Sequence, residues 1–358
     1  WDVSQGKRSN HMPYVLDILP YVLDIISLVG IYVILALSLN VICGLTGLLQ
    51  LGHAGFYAIG AYAAGLVCMY GYKSTFFFGH GLEELGIAGF LITGLAGMLA
   101  AAVFALIIGL PCLRLRGDYL AIATLAFGEI VRMVLENVSF PGCIASGTFT
   151  DYNEAGEAIK VFKEFGGANA ISLPAEYRFD HWWVYIWIAT ILSFILLLNL
   201  KKSAIGRAML AIREDEIAAK AMGVNVPLYK PLSFLICALF AGLAGALFAH
   251  QGTLQPSNFN LLLTVEILLA VVLGGLGSQT GAALGAALIV LLPRALSFLP
   301  TIKMGNTEFA LGTQKELIFA LLFVLLVRFV PNGIFGMGEP LDRFFHRLRE
   351  KKLEGGAV

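Results

Sequence analysis

The chain has 358 residues, of which 58% are hydrophobic and 13% charged, with a mean hydropathy of +0.81 and a formal net charge of zero. Soluble domains carry roughly 25% charged residues, so this composition is that of an integral membrane protein, and zero net charge gives no support to nucleic-acid binding. The five cysteines, Cys43, Cys68, Cys112, Cys143 and Cys237, are scattered singly, without a C-x-x-C or any metal-ligand spacing, and read as small apolar residues.

Residues 1–12 are a polar tail set aside from fold reasoning, with no recognisable cleavable signal peptide. PYVLDI then occurs twice, from Pro13 and from Pro20, an echo without a functional account. A helix needs about 20 apolar residues to cross the hydrocarbon core. Windows of that kind run over Ile18 to Cys43, Leu51 to Tyr70, Leu85 to Leu113, Trp182 to Leu200, Pro231 to Gln251, Leu262 to Leu276, Gly281 to Leu299 and Glu316 to Val330. Asp118 to Asn137 is a more polar helical candidate. The expected fold is all-α, a polytopic membrane helix bundle of about eight to nine spans, some short or broken, over residues 13–338 with a cytoplasmic tail at 339–358.

Lysine and arginine placement sets the orientation. Residues 138–181 hold Asp151, Glu154, Glu157, Glu164, Glu176 and Asp180 against Lys160, Lys163 and Arg178, and read as an external loop. Residues 201–230 hold Lys201, Lys202, Arg207, Arg213, Lys220 and Lys230 against Glu214, Asp215 and Glu216, and read as a cytoplasmic loop. The N-terminal side stays open: Lys7 and Arg8 favour the inside, whereas counting spans back from Arg114 favours the outside unless the Gly44 to Gly55 region is re-entrant.

Two glycine-rich stretches interrupt apolar windows. GLTGLLQLGHAGFYAIGAY, from Gly44, carries Gly44, Gly47, Gly52, His53 and Gly55, and VVLGGLGSQTG, from Val271, carries Gly274 and Gly275. Broken helices expose backbone N–H and C=O groups to a substrate or ion, so these residues are candidates for a translocation path or gate; a kinked, tightly packed helix is the structural alternative. Small residues at helical spacing (Gly97, Ala101, Ala105 and Gly109; Ala238, Gly242 and Ala246; Gly281 and Gly285) mark close helix contacts. Charges within spans cost roughly 2.5 to 3.5 kcal/mol each at the bilayer centre. Glu129 and Arg132, spaced to pair on one helix face, and Glu266 are therefore expected to face protein, water or an interface.

The charges between Lys201 and Lys230 would cost well over ~20 kcal/mol in hydrocarbon, so the segment lies in water. Asp215 can cap a helix start, Glu216 suits its first turn, and Gly223 supplies the left-handed stop, with Pro227 beyond. Ile217, Ala221 and Met222 form an apolar patch that so short a helix cannot bury; a solvated connector and a docking site fit it equally. There is no G-x-x-x-x-G-K-[ST] loop, no H-E-x-x-H and no catalytic constellation.

Glu216, Ala218, Ala219 and Gly223 resemble the EAA motif of ABC importer permeases. With LRLRGDYLAIATLAFGEIVR from Leu113, GRAMLAIREDEIAAKAMGVN from Gly206, AGLAGALFA from Ala241, VEILLAVVLGGLGSQTGAALGA from Val265, VPNGIFG from Val330 and the Gly44 stretch, the chain resembles the LivM-type permeases of branched-chain amino acid importers. That resemblance implies a transport subunit without its own ATPase site, in the inner membrane, translocating leucine, isoleucine or valine. Its partners would be a sister LivH-type permease, two ATPases that bind ATP and Mg, and an external binding protein. Asp215, Glu216, Ala218, Ala219 and Gly223 would be the ATPase-coupling residues. Permeases for urea, amides or other amino acids are the alternative in this class, and an ion-coupled secondary transporter the alternative outside it.

Overall fold

The computed structural model describes residues 12–71, 87–115, 117–140, 182–251 and 253–297, short pieces within 149–172 and 302–309, and residues 328 and 333. The ninth expected span, Glu316 to Val330, lies almost wholly outside the described residues, as do residues 1–11, most of 138–181 and the 339–358 tail. The described chain is a helix bundle with four short two-stranded antiparallel ribbons in its connections. Among the described residues four helices are long and apolar enough to cross a membrane: Tyr21–Leu45, Ile87–Cys112, Trp182–Lys202 and Val226–Gln251. His53–Cys68, Leu261–Gly274 and Gln279–Ala295 are shorter apolar helices.

In chain order these are α1 (Met12–Asn40), which absorbs both PYVLDI copies and ends in a wide turn over Val41–Leu45, then α2 (His53–Gly71), α3 (Ile87–Cys112), α4 (Asp118–Asn137) and α5 (Trp182–Lys202). Two short helices, α6 (Ala204–Glu214) and α7 (Glu216–Ala221), lead to α8 (Val226–Gln251). The short pair α9 (Leu261–Gly274) and α10 (Gln279–Ser297) follows.

The small-residue stripes explain how the helices stack. Gly60 of α2, Gly97 of α3 and Gly242 of α8 meet at one crossing, where a Cβ on Gly242 would lie 2.6 Å from the Gly97 carbonyl oxygen. Backbones approach that closely only where side chains are missing, which in lipid supplies the dispersion contact that hydrophobicity cannot. Gly97 faces Ala246 while Gly109 faces Phe234, so α3 is antiparallel to α8. Gly65 reaches Leu254, so α2 runs parallel to α8. Gly281 against Gly274 and Gly285 against Ala270 zip α9 antiparallel to α10. The stripes thus serve packing within one bundle.

Replacing Gly242 with leucine should therefore destabilise the packing of α2, α3 and α8. Overpacking costs about 1–3 kcal/mol even where neighbours can shift, and here the neighbours are backbone. The expected result is a detergent-solubilised protein whose melting temperature falls by several degrees, or which is degraded. An unchanged melting curve would contradict this packing.

One end of the bundle gathers the C-terminus of α1, the start of α8, the end of α5 and the α9–α10 turn around α6 and α7. Gly333 sits against Gly275 at the same end, so the chain that leaves α10 at the far end has returned there.

Candidate functional site

The first interruption is a real break in the helix. After Leu45 the chain is non-helical from residues 46 to 52 and resumes as α2 at His53. Its polar backbone is satisfied by side chains from several helices, as a buried irregular segment requires. The Leu51 amide donates to Thr124 Oγ1 of α4 at 3.1 Å, and the Ala54 amide donates to Thr264 Oγ1 of α9 at 3.2 Å. Leu48 closes back onto the Ile42 carbonyl at 3.2 Å. Gly52 lies against the Thr124 carbonyl and Gly55 against Gly128, so any side chain at either position would push α4 away.

His53 and Gln50 are fully buried within this segment. Ser38 gives its hydroxyl proton to the Leu35 carbonyl at 2.8 Å, so the contact of 3.1 Å between Ser38 Oγ and His53 Nε2 uses an imidazole N–H as donor. The His53 Nδ1 lone pair is then left facing Cys237 Sγ at 3.5 Å, and Cys237 donates to Gln50 Oε1 at 3.1 Å. These contacts tie the break to α1 and to the middle of α8. Among the described residues two buried amide donors at this level, Asn40 Nδ2 and Gln50 Nε2, find no acceptor. Each unsatisfied buried donor costs about 1–3 kcal/mol.

The second interruption meets the first. Gly275 and Gly277 both adopt positive φ, +110° and +89°, which turns the chain from α9 into α10 within four residues. The Gly277 amide donates to Asn40 Oδ1 at 2.8 Å, and Gly44 packs so closely on that pair that a Cβ would overlap both atoms. Arg213, the penultimate residue of α6, donates from Nη1 to the Gly44 carbonyl at 2.5 Å. Its side chain also lies over Gly47 and Gly277. The two glycine-rich stretches named separately in the sequence are therefore one locus, and Asn40 and Arg213 join them. Neither residue stood out in the sequence. An arginine near the end of an amphipathic helix gives no sign that it reaches a carbonyl 169 positions earlier.

Three residues beyond Arg213, α7 begins. Asp215 Oδ1 accepts from the Ile217 and Ala218 amides at 2.7 and 2.9 Å, the cap its position suggests. At the other end the Val224 amide donates to the Ala219 carbonyl and the Gly223 amide to the Lys220 carbonyl, at 3.0 and 3.1 Å, with Gly223 at φ +87°. This paired closure satisfies the last carbonyls and stops the helix. Glu216 pairs with Lys230 at 2.7 Å, clamping α7 to the second turn of α8. Ala219 is buried with Ile212 and Val226, whereas Ile217 and Met222 are 82% and 85% exposed. Ala218 and Ala221 are exposed between them.

The charges expected within spans lie elsewhere. Glu129 and Arg132 pair along α4, and Glu136 completes a ladder by accepting from Arg132 Nη1 at 2.8 Å. Glu266 Oε2 accepts from Tyr32 Oη at 3.4 Å between α9 and α1. It does not cap α9; Asn260 does, accepting from the Leu263 amide at 2.9 Å. The described His, Cys, Asp and Glu residues form no group that could hold a metal ion.

Residues 21–328 match the family model described as branched-chain amino acid transport system / permease component. The chain is 35% identical over 93% of its length to the high-affinity branched-chain amino acid transport system permease protein LivM of Escherichia coli, covering 72% of that protein. It is 27% identical to a probable LivM permease of Methanocaldococcus jannaschii, over 85% of this chain and 90% of that one. The Escherichia coli permease LivH is 25% identical over 88% of this chain and 94% of its own. On the family match and the LivM identity, this multi-pass membrane protein belongs to the permease components of branched-chain amino acid ABC transport systems.

Proposed function

We propose that the chain forms half of an importer pore in the inner membrane and moves leucine, isoleucine or valine into the cytoplasm. A sister permease supplies the other half, two ATPase subunits bind ATP and Mg, and an external binding protein delivers substrate. In this reading the α6–α7 end is cytoplasmic, which agrees with its excess of Lys and Arg and places the start of α1 and residues 138–181 outside.

The observation that carries the proposal is the chain of contacts from α7 to the helix breaks. Ile217 and Met222 project from a helix fixed at both ends, as an apolar contact for an ATPase groove requires. Motion of α7 is passed through α6 to Arg213, which holds Gly44 and overlies Gly277. Asp215, Glu216, Ala218, Ala219 and Gly223 give α7 its shape. Gly44, Gly47, Gly52, His53, Gly55, Gly274 and Gly275 form the deformable locus. The unsatisfied Asn40 and Gln50 amides favour rearrangement there, because a second arrangement that supplies acceptors recovers their cost.

Glutamates at both Ile217 and Met222 would place charge in an apolar groove. The double variant should still insert in the membrane but lose most of its ATPase co-purification, with uptake falling at least about tenfold, equivalent to roughly 1.4 kcal/mol of lost docking energy. Retention of ATPase and full uptake would exclude α7 as the contact.

A further inference from the structure

The Glu129–Arg132–Glu136 ladder is not consumed by the coupling locus, and its position is unusual. Gly128 packs on Gly52 and Gly55, and Phe127 on Phe56, whose ring also meets Phe234 in the half of α8 nearer α7. Glu129, near the middle of the 20 residues of α4, is followed by Arg132 and Glu136 about one and two turns towards the end away from α7. All three point off the bundle, with side-chain exposures of 35%, 22% and 44%. Around them Ile130, Met133 and Val134 are also exposed. The lipid-length helices α3 and α5 show a different outer surface: α3 exposes Leu91, Leu95, Leu99, Val103 and Ile107, and α5 exposes Ile188, Ile191 and Ile195. Charges at the bilayer centre cost roughly 2.5–3.5 kcal/mol each, so the face of α4 that carries three of them does not lie against acyl chains.

The ladder also has unused capacity. Arg132 uses Nε and one hydrogen each on Nη1 and Nη2, at 2.8, 2.8 and 2.5 Å, leaving two donors. Glu129 Oε2 and Glu136 Oε1 accept nothing among the described residues. Two donors flanked by two acceptors match the complementary needs of a zwitterion, whose carboxylate accepts from a guanidinium and whose ammonium donates to carboxylates.

Building on the amino-acid importer reading above, we propose that the outer face of α4 lines the water-filled path and that Arg132, Glu129 and Glu136 form a transit site for the amino-acid head group. The substrate carboxylate meets the free Arg132 donors, and its ammonium meets Glu129 or Glu136. Ile130 and Met133 on the same face suit an apolar side chain. The site transfers no proton and breaks no bond; it replaces water around both charges while the substrate passes the middle of the bundle. Because Leu51 donates to Thr124 on the inner side of the same helix, rearrangement of the break moves α4 and opens or closes this site.

The test uses the full transporter, assembled with its permease, ATPase and binding-protein partners in proteoliposomes. Met133→Cys is exposed to a membrane-impermeant quaternary-ammonium methanethiosulfonate, which reacts with thiolate in water and not in lipid, with the parent as background. The expected result is labelling of Met133→Cys at least about tenfold faster than the background, slowed by ATP-driven leucine turnover. Leu99→Cys on α3 should stay unlabelled. Arg132→Gln should raise the KM for uptake about tenfold or more, with Arg132→Lys recovering part of the loss, at equal amounts of inserted protein. Met133→Cys labelled no faster than Leu99→Cys, together with unchanged uptake by Arg132→Gln, would overturn the proposal. If the parent complex itself takes up no leucine, the importer reading fails instead, and the labelling result still reports whether α4 faces water.

Discussion

Replacing Arg213 with alanine is expected to abolish most ATP-driven uptake while leaving the ATPase subunits bound. The guanidinium is the link between the helix pair that carries α7 and the two helix breaks, with its hydrogen bond to Gly44 at 2.5 Å and its side chain over Gly47 and Gly277. Hydrogen bonds to charged groups contribute about 1.5–3 kcal/mol. If that energy couples α7 to the breaks, its loss lowers the coupled rate roughly 10- to 100-fold. The proposed ATPase contact, at Ile217 and Met222, is not touched. The measurement is paired: nucleotide hydrolysis and labelled-substrate uptake by the same proteoliposomes. Hydrolysis that persists while uptake collapses is the expected outcome. Arg213→Lys should recover only part, since an ammonium is a point charge without the planar fork that reaches the Gly44 carbonyl and Gly277 together. If the alanine variant keeps both activities in their original ratio, Arg213 is a packing residue and the link runs elsewhere.

Gly44→Ala is expected to have a comparable effect through sterics. One methyl group there overlaps Asn40 Oδ1 and the Gly277 amide, so the 2.8 Å bond between α1 and the α9–α10 turn must break or the wide turn over Val41–Leu45 must shift. Overpacking of this kind costs about 1–3 kcal/mol, directed at the arrangement in which the two breaks touch. Uptake should fall about tenfold or more, with the protein still inserted and still able to bind its ATPase. Limited proteolysis of the inserted variant, compared with the parent, would show whether the α9–α10 turn has opened. Normal uptake would mean that the breaks do not need to touch during the transport cycle.

The parts legible in the sequence share one property: their cause is local. Asp215, Glu216 and Gly223 announce α7 because a cap, a first-turn acid and a left-handed stop act within a few residues of themselves. The Glu129–Arg132 pair is legible for the same reason, and Glu136, four residues beyond Arg132 on that face, obeys the same local spacing. Small-residue stripes foretold that backbones would touch, but not which ones; Gly242 against Gly97 and Gly60 is a long-range match that spacing does not encode. Glycine content likewise marked both breaks without showing that they meet. That fact depends on Asn40 and Arg213, whose partners lie 237 and 169 positions away. From sequence Glu266 could face protein, water or an interface; in the fold it faces protein, reached by Tyr32 from another helix, while Asn260 caps α9. Long-range polar pairing in a membrane bundle is set by which helices touch, and composition carries little of it.

ATP-driven uptake measured with and without the partner subunits bears most directly on the account. Proteoliposomes carrying this chain with its sister permease, ATPases and binding protein should accumulate labelled leucine only when ATP is present on the α6–α7 side. This chain alone, given a proton or sodium gradient, should accumulate none. Accumulation by the chain alone under an ion gradient, indifferent to ATP, would contradict the coupling of α7 to the helix breaks.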